Sequence, residues 1–270
     1  MIPYYEEAGI TIYHGDCRDV LPSLDPVDLV LTDPPYGVNK RQRTYAVASG
    51  PVAVWDEAFP LWWIEPVAKM SQVLAFTPGI VNLPACPSHV DEQRYRWTLA
   101  AHVANGMTRG PFGYGNWIPC VVYARDGVRL YQQRNDVERV SIRGGDRPDH
   151  PSPKPLAAIE FFLSRLPGET VLDAFMGSGT TLLAAKNLGR KAIGIETSEA
   201  YCEIAAKRLQ KSVMAQAGIP EEEIARMVGE QEKRRQEMSA AFSVAGAGAQ
   251  EEADQETQPG ATQPQPGEAA

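Results

Sequence analysis

The sequence predicts an α/β fold built on a mostly parallel central sheet. Short β-branched runs alternate with stretches of helical periodicity, and several of those runs are apolar almost throughout, as strands covered on both faces are. With 270 residues, 43% of them hydrophobic and 22% charged, the chain can also cover such a sheet on both sides, which excludes a wholly disordered chain, a collagen-like repeat and a disulfide miniprotein.

Taken in order, the strands are expected at residues 10–14, 27–32, 72–77, 118–124, 170–174 and 191–196. The second, Val27-Asp28-Leu29-Val30-Leu31, is one of those that are apolar almost throughout. Residues 155–166 set Ala158, Ile159, Phe162 and Leu163 at helical spacing, and residues 179–188 do the same with Leu182, Leu183, Ala185 and Leu188. A third helix starts at Ser198, with Glu199 in its first turn and Lys207 and Arg208 near its end, the charge order that a helix dipole favours. Residues 221–238 read as a solvated helix or as the start of a tail. Residues 241–270 hold five acids, no Lys or Arg and almost no large apolar side chain, so burial cannot offset their ordering entropy and an acidic disordered tail is expected. The expected organisation is therefore a domain over 1–215, a polar helix or linker over 216–240 and the tail over 241–270.

Four cysteines at 17, 86, 120 and 202 form no metal-binding pair, and no His-Glu-x-x-His run occurs, so no metal is expected. With no 18-residue apolar run and no leader-like start, a cytoplasmic protein without membrane contact is expected. The net charge of −8 argues against nucleic acid only until it is divided: residues 94–147 contain nine arginines, four acids and no lysine, interleaved with Tyr95, Trp97, Phe112, Tyr114, Trp117, Tyr123 and Tyr131. Guanidinium groups bridge phosphates and read guanine edges, which makes Arg134, Arg139 and Arg143 candidate DNA-binding residues. Pro119-Cys120 lies inside an apolar run, where a buried structural cysteine is expected.

Two motifs carry chemistry. In Leu31-Thr32-Asp33-Pro34-Pro35-Tyr36, an apolar strand ends in a turn fixed by two prolines, which remove two N–H donors and leave the Asp33 carboxylate and the Pro34 carbonyl as acceptors. Such a pair can take both hydrogens of an exocyclic amine and localise its lone pair, while Tyr36 offers a face for a base taken out of the duplex. In Asp173-Ala174-Phe175-Met176-Gly177-Ser178-Gly179-Thr180, a strand passes through a glycine turn into a helix, and Glu196 ends the next strand 19 residues after Gly177, where a carboxylate can take a ribose diol. Leu182 stands where a dinucleotide fold would want a third glycine, which disfavours a nicotinamide oxidoreductase.

Together, Asp33-Pro34-Pro35-Tyr36 and Phe175-x-Gly177-x-Gly179 resemble the amino-group DNA methyltransferases that use S-adenosylmethionine, and the order of the two motifs is similar to the β class. The resemblance covers residues 10–38 and 150–210. It implies a Rossmann-like methyltransferase fold with a circularly permuted sheet, catalysis by Asp33, Pro34, Pro35 and Tyr36, and a cofactor site from Asp173, Phe175, Gly177, Ser178, Gly179, Thr180 and Glu196. His150-Pro151-Ser152-Pro153-Lys154-Pro155 is similar to the segment lining the methionine side in this class, which brings in Lys154, and Asp16 of Gly15-Asp16 would reach the adenine end. The implied substrate is N6 of a flipped adenine in DNA, because an aspartate before the prolines accompanies adenine more often than cytosine. Cytosine N4 stays open, as does a silent DNA-binding module of the same fold. A restriction nuclease would be the natural partner.

Overall fold

A computed structural model describes residues 2–35, 59–105, 108–110, 113–130, 134–142, 154–224, 226–227 and 229–230. The chain opens with an antiparallel hairpin, β1 (Tyr5–Glu7) and β2 (Ile10–His14), followed by the single-turn helix α1 (Cys17–Val20) and β3 (Val27–Thr32). Next come α2 (Ile64–Lys69), β4 (Ser71–Phe76), the two-residue β5 (His89–Val90) and the long β6 (Gln93–Val103). A small hairpin, β7 (Thr108–Gly110) with β8 (Gly113–Gly115), precedes β9 (Trp117–Arg125) and β10 (Val137–Val140). The remainder alternates helix and strand: α3 (Leu156–Arg165), β11 (Thr170–Asp173), α4 (Thr180–Asn187), β12 (Lys191–Glu196) and α5 (Glu199–Gln216).

The strands lie in the order β1-β2-β12-β11-β3-β4-β9-β6-β10, with β5 paired to β6. From β2 to β4 all neighbours run parallel, while β9 reverses and β6 and β10 resume the direction of β4. The mostly parallel, permuted sheet that the resemblance implied is therefore found, with antiparallel pairing at β1 and on both sides of β9. Its two central strands, β11 and β3, come from opposite ends of the folded unit. Alternation along β3 feeds two cores: Leu29 and Leu31 pack with Phe162 and Leu163 of α3, Leu182 of α4 and Leu209 of α5, whereas Val30 faces Trp63, Val67 and Phe76. Both faces being covered, β3 has no need of outward polar residues along most of its length, which is why it reads as a continuous apolar run. It ends where Pro34 and Pro35 remove the next ladder donors.

The arginine-rich segment becomes strands and not one basic face. Gln93 of β6 pairs with Arg125 of β9, at the end of the sheet opposite the one where β3 and β4 finish. Residues 1–213 form one compact unit and 214–270 another. In the second, Gly218 adopts φ +80° and its N–H is accepted by the Ala215 carbonyl, the left-handed ending that glycine gives a helix. Helical residues follow at 221–224, and the expected acidic tail lies outside the described residues.

Candidate active site

The two sequence motifs meet through one buried hydrogen bond. Thr32 Oγ1, at the end of β3, donates to Asp173 Oδ1 at the end of β11 over 2.6 Å, between residues 141 apart in sequence. Chain connections leave these neighbouring strands in opposite directions, which opens a crevice at their carboxyl ends, the place where α/β sheets bind ligands. A pocket there is lined by Thr32, Asp33, Thr77, Lys154, Ile159, Asp173, Phe175, Met176, Gly177, Ser178, Thr180, Thr181 and Glu196.

Asp33 is held on both carboxylate oxygens. Thr77 Oγ1 donates to Oδ1 and Lys154 Nζ to Oδ2, each at 2.5 Å. Lys154, which the resemblance placed on the methionine side, thus meets the acidic motif directly. Pro34 is buried and Pro35 exposed, and Tyr36 lies outside the described residues. Thr77, just after β4, lines the pocket, whereas residues 79–82 do not.

On the other wall, Gly177 and Gly179 take φ +51° and +77°, a left-handed backbone that side chains resist. A Cβ at Gly179 would come within 2.7 Å of Ala205 Cβ, so this glycine also lets α4 lie against α5. Glu196 Oε2 accepts from Gly177 N–H at 3.1 Å, and Oε1 from Ser198 N–H at 2.8 Å and from the Thr197 hydroxyl at 3.3 Å; Oε2 keeps lone-pair capacity for a hydroxyl. Arg208 of α5 donates to the Ser178 carbonyl and to Thr180 Oγ1, clamping the turn from behind. Nothing in the sequence around residue 208 announced that contact. Phe175 packs edge-on against Trp62 and Trp63. Asp16 caps α1, accepting from Arg18 N–H and pairing with its guanidinium, which holds the carboxyl at about 2; it is absent from the pocket lining.

Asp173 is 2% exposed, and burial pushes its carboxyl up to about 6 against the hydrogen bonds from Thr181, Thr32 and the Phe175 N–H. A carboxyl raised in the fold above its ordinary 3.8 favours folding fully below that value and loses the contribution as pH rises through about 6. Asp173→Asn, which keeps the acceptor and drops the charge, should therefore melt higher than wild type at pH 8, by up to about 3 kcal/mol of stability, with the difference gone by pH 4. A gap of equal size at both pH values in melting experiments would contradict the assignment.

The arginines separate into groups. Arg94 and Arg96 pair with Asp126, and Arg125 with Asp91 and Glu92, all at the far end of the sheet. Arg134 precedes β10 and donates to the Ser164 carbonyl, Arg139 stands exposed on β10, and Arg143 lies outside the described residues. The segment is therefore not a single cationic surface, since its own acids neutralise part of it. Cys120 is fully buried in β9, as expected.

A family described as DNA methylase matches residues 115–207. The type II methyltransferase M2.DpnII of Streptococcus pneumoniae is 46% identical over 256 residues, covering 77% of this chain and 92% of that protein. The type II methyltransferase M.ScaI of Streptomyces caespitosus is 25% identical over 77% of this chain and 84% of its own length. The DNA adenine methyltransferase YhdJ of Escherichia coli (strain K12) is 25% identical over 74% and 82%. Among solved structures, the M1.HpyAVI-SAM complex shares the fold with a TM-score of 0.57 at 23% identity, covering 74% of this chain and 99% of that one. The cytosine-N4-specific PvuII DNA methyltransferase does so with a TM-score of 0.58 at 17% identity, over 84% and 94%.

Proposed function

The chain belongs to the N6/N4 DNA methylase family, and from that premise we propose that it transfers a methyl group from S-adenosylmethionine to N6 of an adenine flipped out of DNA. The observation that carries this reading is the Thr32–Asp173 hydrogen bond, which brings the acceptor carboxylate of Asp33 and the glycine turn into one pocket. Adenine is favoured by the aspartate that opens the Asp33-Pro34-Pro35-Tyr36 motif, and one relative bears the name of an adenine enzyme.

The residues present fit the cofactor. The left-handed turn at Gly177 and Gly179 lets backbone approach a ligand, and Glu196 retains acceptor capacity for a ribose diol. When bound, S-adenosylmethionine supplies a methyl already activated on a sulfonium. The protein's share is then to place and polarise the amine. Asp33 and the Pro34 carbonyl accept the two N–H groups, which localises the nitrogen lone pair, and Asp33 is the first acceptor for the proton that N6 sheds as its bond to the methyl carbon forms. Positioning and a preorganised negative charge supply most of the acceleration in such an arrangement. Tyr36 supplies the stacking face for the base.

Expression in a methylation-free strain, followed by sequencing for modified bases, tests this. N6-methyladenine within one sequence context is the expected result; methylcytosine alone would mean the N4 reaction, and unmodified DNA with no cofactor binding would mean a silent module. Arg134, Arg139 and Arg143 are proposed to meet DNA phosphates. Replacing all three should weaken DNA binding and lower the slope of log affinity against log salt by up to about three contacts, with cofactor affinity unchanged; an identical slope would place the DNA elsewhere. Work in the cytoplasm beside a restriction nuclease of the same sequence preference is part of the same proposal, and two relatives bear the name of type II methyltransferases.

A further inference from the structure

We infer that Thr77 and Lys154 are positioning residues for Asp33, so that Lys154 serves the amine side of the pocket; this rests on the reading of Asp33 as the amine acceptor. A carboxylate turns easily about its last torsion, whose preferences are broad. Here two donors on separate elements fix it. Thr77 is 1% exposed, and its N–H is accepted by the Thr32 carbonyl, which extends the β3–β4 ladder one step beyond the strand and ties the Thr77 hydroxyl to the backbone beside Asp33. Lys154 enters from 121 residues away and precedes Pro155, the cap residue of α3, whose carbonyl accepts from the N–H groups of Ala158 and Ile159. Its side chain is 16% exposed. The ammonium therefore reaches Asp33 from an anchored helix start and not from a freely swinging surface position.

With Oδ1 committed to a hydroxyl and Oδ2 to an ammonium, the carboxylate plane is set and the remaining lone pairs point in defined directions. An incoming amine then meets an acceptor already oriented. Loss of either donor would leave Asp33 in place with its carboxylate plane held less firmly, and misplacement of about an ångström at a reacting group costs rate far more than binding.

The experiment measures single-turnover methyl transfer to DNA from a methylation-free strain, and S-adenosylmethionine affinity by calorimetry, for Lys154→Met, Lys154→Arg, Thr77→Val and Thr77→Ser. Lys154→Met and Thr77→Val should each slow transfer about ten- to hundred-fold at saturating cofactor, with cofactor affinity within about three-fold, while Lys154→Arg and Thr77→Ser recover most of the rate. In an Asp33→Asn background, adding Lys154→Met should change the residual rate less than about two-fold, since residues acting as one unit are not additive. Weakened cofactor binding with a normal saturated rate would make Lys154 a cofactor ligand and overturn the inference, as would an undiminished penalty in the Asp33→Asn background. If Lys154→Met fails to fold, the contrast between Thr77→Val and Thr77→Ser decides. Wild-type protein that moves no methyl to DNA would instead remove the reading of Asp33 itself.

Discussion

Asp33→Ala should abolish methyl transfer while leaving S-adenosylmethionine affinity within a few fold. Asp33 holds two donors of its own, Thr77 and Lys154, while the Gly177 N–H is accepted by Glu196, so loss of Asp33 removes the acceptor proposed for the amine and leaves the turn around Gly177 its own contacts. A preorganised charge aimed at a developing positive nitrogen is worth about 10² to 10³ in rate, and more when a proton must also be accepted. The substitution also breaks the partly buried ion pair with Lys154, so the melting temperature is expected to fall as well. Transfer is therefore measured below the variant's own melting range. Single-turnover rates equal to wild type there would sink the assignment.

Gly177→Val should produce the opposite pattern. At φ +51° a β-branched residue is strained by about 1 to 3 kcal/mol. Adjustment of the turn to relieve that strain shifts Gly177 N–H, which donates to Glu196 Oε2, and so is expected to disturb the carboxylate proposed for the ribose. Cofactor affinity should drop about ten- to hundred-fold, at roughly 1.4 kcal/mol per decade, with transfer at saturating cofactor much less affected. Calorimetry that returns wild-type affinity for this variant would take the turn out of the cofactor site. The two substitutions separate the two halves of the pocket.

How far the sequence could be read follows from which forces act locally. Residues 10–14, 27–32 and 191–196 coincide with β2, β3 and β12 because these strands are buried in parallel register, and burial leaves an apolar signature in the residues themselves. The expected strand at 72–77 is one residue late: β4 is Ser71–Phe76, and Thr77 leaves it to serve Asp33. The strands β6 and β10 were not anticipated. Gln93-Arg94-Tyr95-Arg96-Trp97 and Val137-Glu138-Arg139 carry exposed charged and aromatic side chains on strands near the sheet's edge, so their residues look like a basic loop. The site divides the same way. Asp33-Pro34-Pro35 and the glycine turn are each made by neighbours in sequence and show as motifs, whereas the contacts of Thr32 with Asp173, Thr77 and Lys154 with Asp33, and Arg208 with Ser178 exist only once distant segments pack.

The position of β3 beside β11 also bears on how this protein comes off the ribosome. By the time residue 150 has been made, β3 can pair with β4, but its other edge has no partner, and the helices that cover Leu29 and Leu31 (α3, α4 and α5) have yet to be synthesised. A hydrophobic strand edge exposed for that interval invites pairing with other chains. Prematurely terminated products should therefore be aggregation-prone clients of chaperones and proteases. With the site proposed above, none of them should modify DNA, because the pocket is complete only once Glu196 is in place, and enzymatic activity is expected to arrive in one step with the last third of the polypeptide.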